Sequence, residues 1–175
     1  MVRHLSEEEV NMPLELIVKS AKLFDSGQKL QFENLVLAGG QVLRDNFSQR
    51  IENAHYLAFL AIDGELAETN AVKNNRPHQR SIEEKSGVEL SDDEYLGEVG
   101  WLHVVESRRR ARLGDLLTSA ILAVAGTQGL FATIQSENGA ARRLHERHGF
   151  CQVGNSWPST ESAGMVVLYT RPGKR

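Results

Sequence analysis

Apolar residues recur at helical spacing most clearly at Leu113, Leu116, Leu117, Ala120, Ile121 and Val124, the stripe of a helix burying one face. Just before it, Val99 to Val105 is rich in β-branched and aromatic residues that suit a half-buried strand. Between the two lie Arg108, Arg109, Arg110 and Arg112, with Gly114 closing the turn. The centre of the chain thus reads strand, basic turn, helix. Upstream, Val2 to Leu5 is a short candidate strand, and Ser6 and Glu9 have capping-box spacing, although Pro13 argues against a helix running through from Ser6. Leu14, Ile17, Val18, Ala21 and Phe24 predict a helix from near Met12 to Ser26, stopped by Gly27. A second helical region falls between Leu35 and Ile51, interrupted or weakened by Gly39-Gly40. Tyr56 to Ile62 reads as a strand, Asp63-Gly64 as a hairpin turn, and Glu65 to Lys73 as the antiparallel return. The polar stretch 74–94 breaks the pattern. It reads as a loop insertion with a short helix around Ser81 to Lys85, and Pro77 marks the end of the preceding strand. Beyond the central helix come a strand at Leu130 to Gln135 and a short helix opened by Asn138-Gly139, on which Ala141, Leu144, His145 and His148 share a face. Gly149 ends that helix, and strands follow at Phe150 to Val153 and Gly164 to Thr170. With no repeat and no linker, residues 1–175 make one α/β domain.

Composition narrows the function classes. Cys151 is the only cysteine, which excludes an internal disulfide and a multi-cysteine zinc site, and no histidine spacing suggests a metal. The start of the chain lacks the apolar core of a signal peptide, and no apolar run nears the ~20 residues of a membrane span, so a cytoplasmic protein with no membrane partner is expected. The net charge of −3 hides a split: residues 1–99 carry 10 Lys and Arg against 18 Asp and Glu, residues 100–175 carry 10 against 5. The basic half holds the arginine turn. A helix start offers about four unpaired N–H groups and a partial positive charge, so arginines beside it make a phosphate the expected guest. The acidic half points to a cationic second ligand. A nucleic-acid patch is the weaker account of the arginines, because interleaved aromatics and an overall basic balance are missing. Neither G-x-G-x-x-G nor G-x-x-x-x-G-K-[ST] occurs.

Two stretches carry a family resemblance. Val104 to Gly114 is similar to the V-x-P-x-x-R-G-x-G-x-G/A turn of the GNAT superfamily, the acyl-CoA-dependent N-acetyltransferases: Val104, Arg109 and Gly114 match, while Glu106 replaces the proline and Arg110 and Arg112 replace glycines. Asn138 to Phe150 resembles N-x-x-A-x-x-L-Y-E-x-x-G-F at every fixed position except the tyrosine, which is His145. The resemblance implies a single GNAT-like domain: a central mixed, mostly antiparallel twisted sheet flanked by helices, with splayed strands forming the acyl-CoA cleft. It implies acetyl-CoA as co-substrate and no metal. Leu102, His103, Val104 and Val105 would offer backbone groups to pantetheine. The backbone of Arg109, Arg110, Ala111, Arg112, Leu113, Gly114 and Asp115 would cradle the pyrophosphate, and Asn138 and Ala141 would complete the cofactor site. Arg112 in place of glycine resists positive φ, so an altered turn is expected there. Asp115 works against a phosphate.

The implied reaction is direct transfer of an acetyl group from the thioester to a primary amine, on a small molecule or a protein. Glu98, eleven residues before Arg109, stands where some family members carry a glutamate base, a role worth roughly 10²–10⁴-fold. Gly100 leaves space beside it on the same strand face. Trp101 and His103 fall on the opposite face as pocket wall. His145 takes the place of the tyrosine that protonates the departing sulfur, and a backbone N–H near Val104 is the oxyanion donor. The alternative is a non-catalytic acyl-CoA sensor with the same fold, suggested by the missing tyrosine and the arginines in the turn. The acceptor amine and the oligomeric state, a homodimer included, stay open.

Overall fold

Strand β4 (Tyr95–Val104) runs through the middle of the molecule, and its two neighbours treat it differently. On one side it pairs antiparallel with β3 (Glu65–Lys73) along most of its length, and on the other parallel with β5 (Gly129–Gln135) only from Tyr95 to Glu98. The computed structural model describes residues 13–174 apart from 41, 43, 110, 111 and 161. Its single sheet adds β1 (Leu14–Ser20), β2 (Tyr56–Ile62), β6 (Cys151–Pro158) and β7 (Met165–Arg171) in the order β1-β2-β3-β4-β5-β7-β6. Every other pairing is antiparallel, so the sheet is mixed, and the parallel pair is joined by the crossover helix α4 (Leu113–Ala125).

Both faces are covered. In β2, Leu57 and Phe59 point to one face and Ala58 and Leu60 to the other, as strand alternation requires. The first face packs on α1 (Ser26–Ala38) and α2 (Phe47–Asn53) through Phe32, Val36, Phe47 and Ile51. Further along the same face, α3 (Arg76–Ser86) buries Ile82 against Tyr95, Phe131 and Leu168. The second face packs on α4 through Leu113, Leu117, Ile121 and Ala125. There α5 (Gly139–Arg147) sets Leu144 beside the start of α4.

Several sequence expectations change. The helix expected from Met12 to Ser26 is instead strand β1: each residue from Leu14 to Ser20 pairs with β2, and β-branched Ile17 and Val18 suit that role. The first helix opens only at Ser26, where Asp25 and Gln28 form a reciprocal capping box at 2.8 and 3.3 Å, so Gly27 lies in its first turn. Val2 to Leu5, Ser6, Glu9 and Met12 lie outside the described residues. The polar 74–94 stretch holds the eleven-residue helix α3, longer than the turn expected around Ser81. Pro77 does not end a strand but sits in the first turn of α3, where a missing N–H costs nothing. The segment after it is tied down by Arg76 and Arg80 on Asp92 (2.9 and 3.2 Å) and by Gln79 on the Leu90 carbonyl. On α4, Leu116 and Val124 are exposed, so its buried face is narrower than the apolar stripe implied.

Candidate active site

Where β4 parts from β5, a cavity of about 1030 Å³ passes between them. One end lies under α4 and α5, the other under α1 to α3. A β-bulge shapes it: Gly100 pairs with Ala71 and His103 with Thr69, so Trp101 and Leu102 together oppose Asn70. Trp101 carries φ of 59°, and its carbonyl accepts from Thr69 Oγ1 at 3.0 Å. The bulge breaks the alternation on which the sequence reading of this strand rested. Trp101 and Glu98 therefore share one face, with Lys73 Nζ 3.2 Å from Glu98 Oε2 and 5.5 Å from the Trp101 ring centre. His103 also turns to the α1 side, against Gly39.

The α4 end is lined by basic side chains. Arg108, Arg109 and Arg112 line it, together with Leu113, Gly114, Asn138 and Ala141. Arg112 adopts φ 56°, ψ 22°, the left-handed conformation a glycine would take, so the turn keeps its course despite the side chain. Among the expected cradle amides, Arg109 N–H donates to the Glu106 carbonyl and Asp115 N–H to that of Arg112, while those of Arg112, Leu113 and Gly114 have no backbone acceptor among the described residues. Arg110 and Ala111 lie outside the described residues. Asp115 turns its charge away: it accepts from Arg147 at 2.9 and 3.0 Å and meets His148 at 3.2 Å. The Arg147 hydrogen bond, opposed by burial and helped by the Arg147 charge and the His148 contact, holds its carboxyl below the usual range. On β4, Leu102, His103 and Val104 line the cavity. Val105 does not, and its N–H is bonded to the Ala67 carbonyl at 2.9 Å. Alternation along the strand then turns the Val104 N–H toward the open side.

At the far end stands Glu98, 3% exposed. Thr133 Oγ1 donates to its Oε1 at 2.6 Å, and Lys73 Nζ and His78 Nε2 lie 3.2 and 3.7 Å from its Oε2. The Lys73 contact is an ion pair without hydrogen-bond alignment, which leaves Oε2 able to accept. Burial opposes the charge, but Lys73, then His78 and Thr133, outweigh it and hold the carboxyl below its ordinary value. The space expected beside Glu98 at Gly100 is filled: a Cβ there would come within 2.7 Å of the Lys73 ammonium. His145, on α5, lines the cavity from the other face. Its Nδ1 lies 2.9 Å from the Ala141 carbonyl and must be the donor, so in the neutral ring Nε2, buried and without a partner among the described residues, carries a lone pair. Burial pulls its pKa down, so the neutral ring is the resting form.

One group in this region escaped the sequence reading. Glu68 on β3 is fully buried beneath the start of α4, 3.4 Å from where a Cβ on Gly114 would stand, and neither carboxyl oxygen has a hydrogen-bond partner among the described residues. Burial first, and Asp115 second, raise its pKa to about 8. Nothing in its strand segment signals a buried acid. Lys73, His78 and Thr133 were likewise invisible as a group, since they come from three elements and form no motif.

The family pattern described as Acetyltransferase (GNAT) family matches residues 27–150, and the chain belongs to this family. Solved structures share the fold at low identity. An acyl-CoA N-acyltransferase from Pseudomonas aeruginosa aligns with a TM-score of 0.64 at 14% identity, over 91% of this chain and 99% of its own. A GNAT-family acetyltransferase from Streptococcus pneumoniae gives 0.64 at 16%, over 93% and 100%. Arabidopsis thaliana NAA60 in complex with acetyl-CoA gives 0.65 at 14%, over 91% and 98%. No curated protein matches the sequence. Among the described residues no helix is long and apolar enough to cross a membrane.

Proposed function

We propose that the protein transfers an acetyl group from acetyl-CoA to a primary amine by direct attack. One observation carries the reading: a single cavity joins an arginine-lined helix start to a buried, ionised carboxylate through the gap between β4 and β5. Acetyl-CoA, when bound, supplies the thioester carbonyl and a thiol leaving group. The chain's own residues fit it. Arg108, Arg109 and Arg112 face the phosphates with the Leu113 and Gly114 amides, and the open edge of β4 offers peptide groups to pantetheine. The Val104 N–H is the donor for the carbonyl oxygen as it gains charge.

An amine attacks only when neutral. The Lys73 ammonium disfavours a second positive charge beside it and so keeps the incoming amine unprotonated. Glu98 Oε2 takes the proton that nitrogen sheds on bond formation, and His78, half-exposed beside the same oxygen, gives it a way to solvent. His145 donates to the sulfur only after it has gained a proton. In its resting form it accepts, so it walls the channel, and the sulfur leaves as a thiolate that takes its proton from solvent.

The competing account, a sensor without turnover, draws on the ion pair that weakens Glu98 as a base. Calorimetric titration with acetyl-CoA, CoA and ATP, followed by thiol release with an amine panel, separates the two. Binding of both CoA species, lost in Gly114→Trp and absent for ATP, with thiol release cut roughly 10²-fold or more by Glu98→Gln, supports the enzyme. Binding without thiol release favours the sensor. Failure of both CoA species to bind overturns both.

A further inference from the structure

The acidic first half of the chain suggested a cationic acceptor, yet of its carboxylates only Glu98 lines the cavity among the described residues. Asp92 and Glu83 are paired with Arg76 and Arg80, and Glu83 also accepts from the Leu90 N–H. Only two acids line the cavity among the described residues, Glu98 and Asp115. Glu98 is held by Lys73 and Thr133, and Asp115 by Arg147 and His148. No carboxylate is left to meet a second ammonium on the acceptor.

The cations on the acceptor side are arranged differently. His78, Ile82 and Lys85 are spaced i, i+4, i+7 on α3 and all line the cavity, with Ile82 buried, so this face of the helix turns inward. His78 stands at Glu98, and Lys85 follows about 10 Å further along the helix axis, at the exposed mouth. Lys85 has no carboxylate at ion-pair distance among the described residues. Arg50 lines the same side from α2, its guanidinium over the Phe47 ring. Trp101 and Trp157 supply the apolar wall between. A ligand entering here passes cations first and then meets a carboxylate already neutralised by Lys73.

Resting on the acetyltransferase reading, we infer that the acceptor is a small amine that also carries an anionic group, a carboxylate or phosphate, with the amine at Glu98 and the anion toward Lys85. The anion offsets the positive mouth, while Lys73 keeps the amine neutral. A polyamine has the wrong charge at both ends.

Matched pairs test this by thiol release at saturating acetyl-CoA. The pairs are a pool of free amino acids against their methyl esters, and O-phosphoethanolamine against ethanolamine, with spermidine as the polycation. At least a tenfold preference in kcat/KM for one anionic member, falling to threefold or less in Lys85→Gln with the acetyl-CoA KM unchanged, bears out the inference. The favoured pair tells carboxylate from phosphate. Equal or better turnover of esters, ethanolamine or spermidine overturns the inference and leaves the acetyltransferase standing. A preference that survives Lys85→Gln overturns the assignment to Lys85. If acetyl-CoA binds but no member of the panel is acetylated, the enzyme reading fails, and the acceptor class with it.

Discussion

Glu68 is a buried carboxyl without a hydrogen-bond partner among the described residues, and its cost depends on pH. Its folded pKa of about 8 lies above the unfolded value near 4.5, so between these limits the unfolded chain releases a proton that the folded one keeps. Stability from this residue is complete below pH 4.5 and falls as pH rises, by at most about 1.4 kcal/mol per unit, levelling above pH 8. Glu68→Gln is expected to flatten that slope and to raise stability at pH 8 by roughly 2 kcal/mol, read from urea midpoints at pH 5 and pH 8. Arg112 is a second costly residue. Holding a side chain in the left-handed region costs about 1 kcal/mol. Arg112→Gly should recover about that much stability while weakening acetyl-CoA several-fold, since a cation leaves the cradle. Thermal unfolding and calorimetry of the same variant read the two effects separately. Equal or tighter binding in Arg112→Gly would remove this arginine from the phosphate site.

At the scale of elements, strands buried on both faces were legible and the exposed edge strand was not. Tyr56–Ile62 and Glu65–Lys73 show runs of apolar or β-branched residues around a two-residue turn, and their limits agree with expectation. Strand β1 lies at the sheet edge with Leu14 and Leu16 exposed, so burial imposed no clean alternation on it and its apolar residues fell by chance at helical spacing. Helix α3 was under-read because its stretch is polar, and its start depends on Asn75 accepting from the His78 N–H rather than on apolar periodicity. The bulge at Trp101 had no local signal, and it reversed which side chains share a face with Glu98. The capping box at Asp25 is what turns the chain from strand to helix here. Asp25→Ala should cost about 1 kcal/mol in equilibrium unfolding. No loss would mean that α1 is held by Phe32 and Val36 alone.

Across the whole molecule, the arginine turn and the Asn138 to Phe150 stretch were legible because each is continuous in sequence and uses backbone geometry that only certain residues allow. The acceptor side was not. Lys73, His78 and Thr133 meet only when β3, α3 and β5 are brought together, and in the acidic stretch Asp92 and Glu83 are taken up by Arg76 and Arg80. Net charge by halves therefore does not report the charges that line this cavity. The phosphate end should show its charge in solution: raising salt from 0.05 to 0.5 M shortens the screening length to less than half. Acetyl-CoA affinity is then expected to drop several-fold by calorimetry. An unchanged affinity would argue that the backbone amides, and not the arginines, hold the phosphates.

The chain has two tryptophans, and both Trp101 and Trp157 stand in the cavity wall. Excitation at the red edge of protein absorbance therefore reports from this one chamber, with no background from other parts of the molecule. Trp101 lies under the Lys73 ammonium, so its emission also senses the charge state of the Glu98 pair. The protein carries its own optical probe of acceptor entry, and Trp157→Phe divides the signal between the mouth and the reacting end.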